Sequence, residues 1–344
     1  MCFELMVTLS VLLHKTLVIP SDQYSRITEP MAQLGGTNER RRPPNPQDLF
    51  DLDKLGRAVD MVIGRGWPPI ACLARRTPHN LDIDPLREVI CFPKAPPRTS
   101  ARFKMLRSFL AGRRSIVELT EELRHVKWLH AREALGHFYT SFFLHKRRDS
   151  SIKRLFRDHF SFHPMIIKAA APLVAKLGSY SAIHVRRGDF LVDRPRGIIP
   201  AATVARNISA RIPPQSRLYV ATNEMNRAFF EPLAKRYDLR FFSDIADDRD
   251  YLPCVTACAE MLICASARVF VGNRFSTFSG YITRLRGYRR ATDAGIYFTD
   301  GHPAEPTGLG KGSRFPFSWQ ESVAAGTPLW GREYREGWEF EIEY

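Results

Sequence analysis

The chain has 344 residues, six cysteines, a formal net charge of +15 and an isoelectric point near 9.8. Its length accommodates one large or two medium domains with a core each, and two lobes fit best; six cysteines are too few for a disulfide scaffold. The positive charge suits an anionic partner, but the basic residues are scattered along the chain, with no lysine-rich tail and no aromatic-interleaved basic run. The sign alone does not choose among nucleic acid, an anionic membrane and a small anionic ligand, but that distribution argues against nucleic acid.

Residues 5–13 are apolar, but Glu4 precedes them and no small-residue cleavage site follows, which favours a buried helix over a signal peptide. Residues 16–20 are a short β-branched run closed by Pro20 and read as a strand. An α/β domain normally places a strand before its first helix, so this reading expects a first strand and loop to be missing ahead of Met1. Residues 21–46 read as a loop, 49–63 as an amphipathic helix, 68–72 as a short strand and the proline-rich stretch 75–100 as an irregular excursion. A helix over 116–123 and a strand over 126–129 follow, and the aromatics of 135–144 read as core.

Residues 152–177 carry two helices, the second opened by Pro164 and closed by Gly178. Strands at 180–185, 217–222, 239–242 and 269–271 then alternate with helices at 201–212, 225–237, 255–265 and 277–285. This alternation predicts a doubly wound parallel sheet. The stretch after Asp300, rich in glycine, proline and tryptophan, reads as a tail packing across the lobes, and no run of about twenty apolar residues marks a membrane span.

Ligands of open parallel sheets bind beyond the carboxyl ends of the strands, and three strands here end in polar groups. The first runs into His184, Arg186, Arg187, Gly188 and Asp189. Adjacent guanidiniums before a glycine turn suit a phosphate, and Arg186 is placed to bond two oxygens of a diphosphate and stabilise it as a leaving group. His184 could bond phosphate or ribose, and Asp189 could orient an arginine or form a structural ion pair with Arg186 or Arg187. The second ends in Thr222, Asn223 and Glu224, the last a candidate for contact with donor or acceptor. The third opens through Gly272 and Asn273 into Ser276, Thr277, Phe278 and Ser279 at a helix start, where backbone N–H groups favour an anion and one hydroxyl is expected to cap the helix. Together these edges read as one nucleotide-sugar site.

Other patterns have plainer readings. Arg187, Gly188 and Asp189 spell an adhesion tripeptide, but at the end of a buried strand. Cys254, Cys258 and Cys264 lack a histidine at ligand spacing and read as core or a bridge, not zinc. Asn207, Ile208 and Ser209 form a glycosylation sequon.

The three strand-end segments, in this order and spacing, resemble the GDP-fucose protein O-fucosyltransferase family and its α1,6-fucosyltransferase relatives; weaker similarity runs through residues 16–20, 49–55 and 136–139. The resemblance implies a GT-B architecture of two Rossmann-like lobes with parallel sheets: an acceptor-side lobe over 1–177 with an incomplete start, a GDP-fucose-binding lobe over 178–310 and a tail over 311–344. It implies inverting, metal-independent transfer of fucose to a hydroxyl of a protein or glycan in the lumen of the secretory pathway, with no cofactor beyond the donor GDP-fucose. Arg186 falls on the family's arginine that contacts the β-phosphate and His184 on its neighbour, while Ser276, Thr277, Phe278 and Ser279 fall on the segment holding phosphate and nucleoside. Two departures stand out. Asn223 replaces the aspartate usual in the middle motif, removing a charge that could help fix guanine or an arginine. The family's glycine-rich loop belongs ahead of Met1, and Gly35, Gly36, Thr37 and Asn38 imitate it only at the wrong place. A truncated product, or a GDP-sugar-binding descendant without catalysis, is the alternative these departures raise.

Overall fold

The computed structural model describes residues 2–13, 16–20, 46–64, 89–92, 128–131, 146–188, 190–193, 198–246, 253–273, 276–289, 296–298 and 305–306. They divide between His163 and Pro164 into two compact units.

In the first unit, helix α1 (Cys2–Leu13) buries Phe3 and Val7 and leads into strand β1 (Leu17–Pro20). The single helix expected over 49–63 is instead two short ones, α2 (Pro46–Leu49) and α3 (Leu52–Gly56), followed by strand β2 (Met61–Gly64). The reason is local. Asp51 restarts the helix as an N-cap, its carboxylate accepting the Lys54 N–H at 2.9 Å, and the apolar run after Gly56 pairs in parallel with β1. The proline-rich excursion likewise holds a strand, β3 (Val89–Phe92), parallel to β4 (Trp128–Ala131). Four β-prone residues in a row suffice once a partner strand is present. Helix α4 (Lys146–His159) adds Phe156, and beyond its end Phe160 packs tilted against Phe50 at a centroid distance of 4.7 Å. The strand expected at 68–72, the helix at 116–123, the aromatic run at 135–144 and the tail over 311–344 lie outside the described residues.

The second unit opens with α5 (Pro164–Leu177), which packs against a helix of that unit, so the division falls one helix before Gly178. Gly178 itself, at φ +66°, turns the chain out of α5 in the left-handed conformation that glycine adopts without strain. Then come β5 (Ser181–Val185), α6 (Phe190–Asp193), α7 (Ala201–Ile208), β6 (Arg217–Thr222), a 3₁₀ turn at Arg227–Phe230, α8 (Glu231–Ala234), β7 (Asp238–Arg240), α9 (Phe242–Ile245), α10 (Pro253–Ser266), β8 (Phe270–Asn273), α11 (Thr277–Tyr288), β9 (Ile296–Phe298) and β10 (Glu305–Pro306). The helix expected over 225–237 is broken into the 3₁₀ turn and α8, with Pro232 in the first turn of α8. Strand β7 stops at Arg240 because the Asp244 carboxylate accepts the Phe241 N–H at 2.8 Å and starts α9.

These strands form one sheet in the order β10-β9-β8-β5-β6-β7, parallel from β7 to β9, with β10 antiparallel at the edge. One face packs Val204, Ile208, Leu218 and Leu233, and the other packs Leu173, Tyr219, Ile263 and Ile282. Every residue of β5 is buried, as a central strand covered on both faces must be. Arg286, itself buried, donates from Nη1 to the carbonyls of Ala265 and Ala267 and from Nη2 to that of Arg268, tying down the last turn of α10 and the two residues that follow it.

Candidate functional site

From β5 the chain moves to β6 and β7 on one side, then returns to place β8 on the other side of β5. The strand order therefore reverses between β5 and β8, the point where doubly wound sheets open a crevice for ligand at their carboxyl ends. Ala182 pairs with Phe270 and Ile183 with Val271, so His184 and Val185, which pair with Ala221 and Thr222 on the other side, end β5 alongside the end of β8, and the chain leaves the sheet at Arg186.

His184, 3% exposed, joins these two edges directly. Its Nδ1 lies 2.7 Å from Ser279 Oγ, and the same oxygen accepts the Asn273 backbone N–H at 2.8 Å. The imidazole also packs on Phe278, with ring centroids 4.5 Å apart. Ser276, one of the three hydroxyls among which a cap was expected, occupies the N-cap of α11, and its side chain makes no capping hydrogen bond. Thr277 follows as the first residue of the helix and is half-buried.

Beyond β5, the half-buried Arg186 guanidinium sits 5.9 Å from the Phe190 ring centroid. Arg187 points elsewhere: Nε meets Glu224 Oε2 at 2.5 Å, and its guanidinium lies 4.2 Å above the Phe229 ring. Glu224, a candidate for ligand contact, is thus tied to Arg187, and its carboxyl is held below the usual carboxylate range first by the Asn226 N–H and then by Arg187. Thr222 is also engaged, its hydroxyl donating to the Val185 carbonyl at 2.8 Å and accepting the Glu224 N–H at 3.0 Å. Asn223 Oδ1 accepts the backbone N–H groups of Arg187 at 2.8 Å and Gly188 at 3.1 Å. The end of β6 is therefore a clasp on the turn that follows Arg186. Asp189 lies outside the described residues.

Two contributors were not singled out by sequence reasoning. Phe229 and Phe190 each lie against an arginine of the turn, and nothing in their spacing marks them as site residues. The Asn207 sequon meets a different obstacle, since Asn207 is 5% exposed on α7. Cys258 and Cys264 are buried free thiols of α10, in keeping with a core reading.

The chain matches the model of the family described as GDP-fucose protein O-fucosyltransferase over residues 1–289, well over half its length. It belongs to that family. Among solved structures, this O-fucosyltransferase family member is similar to POFUT1 in complex with GDP-fucose, at 14% identity and a TM-score of 0.45, over 88% of this chain and 93% of that one. It is similar to POFUT1 in complex with GDP at 12% identity and a TM-score of 0.42, over 83% and 91%. A third likeness is to NodZ α-1,6-fucosyltransferase soaked with GDP-fucose, at 14% identity and a TM-score of 0.29, over 46% and 52%. No curated protein sequence matches the chain. Among the described residues, no helix of this family member is long and apolar enough to cross a membrane.

Proposed function

We propose that the protein transfers fucose from GDP-fucose to a hydroxyl of a protein serine or threonine or of a glycan. The observation that carries this reading is the meeting at the β5–β8 switch point of the Arg186 edge with the start of α11, where the Ser276 side chain does not cap the helix. A cation and a helix N-terminus at one crevice suit a diphosphate.

In this reaction the acceptor oxygen forms a bond to the anomeric carbon as the bond from that carbon to the β-phosphate oxygen breaks. The electron pair leaves with GDP, the hydroxyl proton passes to a base or to water, and attack opposite the leaving group inverts the anomeric centre. Arg186 stabilises the charge that grows on the β-phosphate, an interaction stronger in the transition state than in the ground state. His184, Ser276 and Thr277 position the donor, and no metal or cofactor takes part. The proposed architecture is GT-B, with the donor lobe formed by the β5–β10 sheet, and the proposed compartment is the secretory lumen.

Calorimetry with GDP and GDP-fucose, run beside Arg186→Ala, tests the donor site: binding should fall at least about tenfold in the variant. A folded wild-type chain that binds neither nucleotide would sink the reading. Asn223, neutral where the family usually has an aspartate, favours a second reading, a GDP-sugar-binding protein without transfer. Release of GDP that depends on an added acceptor hydroxyl separates the two.

A further inference from the structure

We propose that Ser279 is a positioning residue that fixes the tautomer and orientation of His184. Ser279 is 0% exposed and its oxygen is engaged on two sides, which places it behind the strand end and not on its surface, although the sequence groups it with the binding hydroxyls. Its oxygen accepts the Asn273 backbone N–H at 2.8 Å, and His184 Nδ1 stands 2.7 Å away. A hydroxyl has a single proton to donate, and Nδ1 is within reach to receive it. The chain then runs from Asn273 N–H to Ser279 Oγ and from Ser279 O–H to Nδ1, which places the ring proton on Nε2. Which nitrogen of an imidazole carries its proton is set by the bond the other one makes. Phe278, 4.5 Å away between centroids, holds the same ring from one face. The relay spans β8, α11 and β5, so the donor character of His184 is built by a contact between residues 95 positions apart.

What the oriented imidazole serves rests on the donor-binding reading above; the tautomer does not. The test is therefore in two parts. Long-range proton–nitrogen correlation spectra of histidine-labelled full-length chain, with His184→Asn to identify the resonance among ten histidines, report the tautomer without any ligand. The expected result is a single Nε2–H tautomer in the wild type, lost to a mixture in Ser279→Ala and kept in Ser279→Thr. A wild-type proton on Nδ1, or a Ser279→Ala spectrum unchanged from wild type, would overturn the proposal. If Ser279→Ala does not fold, Ser279→Cys, close in size but a weak hydrogen-bond partner, takes its place. GDP titration forms the second part: affinity should fall about tenfold in Ser279→Ala and stay within about threefold in Ser279→Thr. Equal affinity in wild type and Ser279→Ala overturns the link to ligand, whereas a wild type that binds no GDP refutes the donor-site reading and leaves the tautomer result intact.

Discussion

Gly188 lies so close to Asn223 that a Cβ on the glycine would stand 2.7 Å from Asn223 Nδ2 and 3.1 Å from its Cγ. The glycine is required for space, since its φ is not in the left-handed region. Gly188→Ala should destabilise the fold by about 1–3 kcal/mol through overpacking. In an Asn223→Ala background the same change should cost less than half as much, because the atoms it meets are gone. Urea denaturation of the four proteins measures the coupling, and simple additivity would contradict the contact.

Asn223 also accepts two backbone N–H groups, from Arg187 and Gly188, through one oxygen. An aspartate supplies that oxygen equally well. Asn223→Asp should therefore change stability by less than about 1 kcal/mol, while Asn223→Leu, which strands both donors, should cost about 1–3 kcal/mol. Thermal and urea unfolding of both variants decide this, and equal losses in the two would remove the clasp from the account.

Two carboxylates give the stability opposite pH dependences. Burial pushes Glu260, on α10, up to about 8, against the smaller opposing effect of the hydrogen bond it accepts from Tyr219 at 2.9 Å. The folded state then holds a proton that the unfolded chain releases near 4.5, so this contribution is complete below about pH 4.5 and is lost as pH rises through about 8. Glu260→Gln should flatten that decline and stabilise the protein at pH 8 by on the order of 1–3 kcal/mol, a range discounted because the residue as a whole is only half-buried.

Glu224 runs the other way. Its folded value is depressed, so its contribution is complete above the ordinary 4.5 and is lost as pH falls through the lower folded value. Glu224→Gln should lower stability at pH 7 by about 0.5–1.5 kcal/mol and remove that acid-side slope. Unfolding free energies between pH 3 and pH 9 check both carboxylates, and a Glu224→Gln curve parallel to wild type below pH 5 would contradict the Arg187 pairing.

Arg286 offers a test of the core that does not involve the candidate site residues. Its guanidinium serves three carbonyls at and just beyond the C-terminus of α10, which a single ammonium in that place cannot match in geometry. Arg286→Lys should cost about 1–2 kcal/mol in thermal unfolding, and a neutral result would mean that water serves those carbonyls.

The second unit was legible because its signals are local and repeated. Buried apolar runs such as Ser181–Val185 end at polar groups, and Gly178 marks the exit from α5. The short elements of the first unit hid behind one misleading periodicity: residues 49–63 fit a helix by spacing, and only the Asp51 cap and the pairing of Met61 with Leu17 divide them. At the site, His184, Arg186 and the α11 start could be read from strand ends. The tasks of Asn223, Thr222 and Glu224 could not, since each is defined by partners across the sheet, Asn223 reaching a turn 36 residues away. Whether a polar side chain faces ligand or holds the backbone beside it depends on which strands become neighbours.

Asn207 carries one more consequence. Its side chain is enclosed when α7 docks, so a glycan on it and the folded second unit exclude each other. For a chain threaded into a compartment that attaches such glycans, the outcome is a race between docking of α7 and the modifying enzyme. A sugar found at Asn207 would thus be a timestamp, marking molecules that met the enzyme while still unfolded.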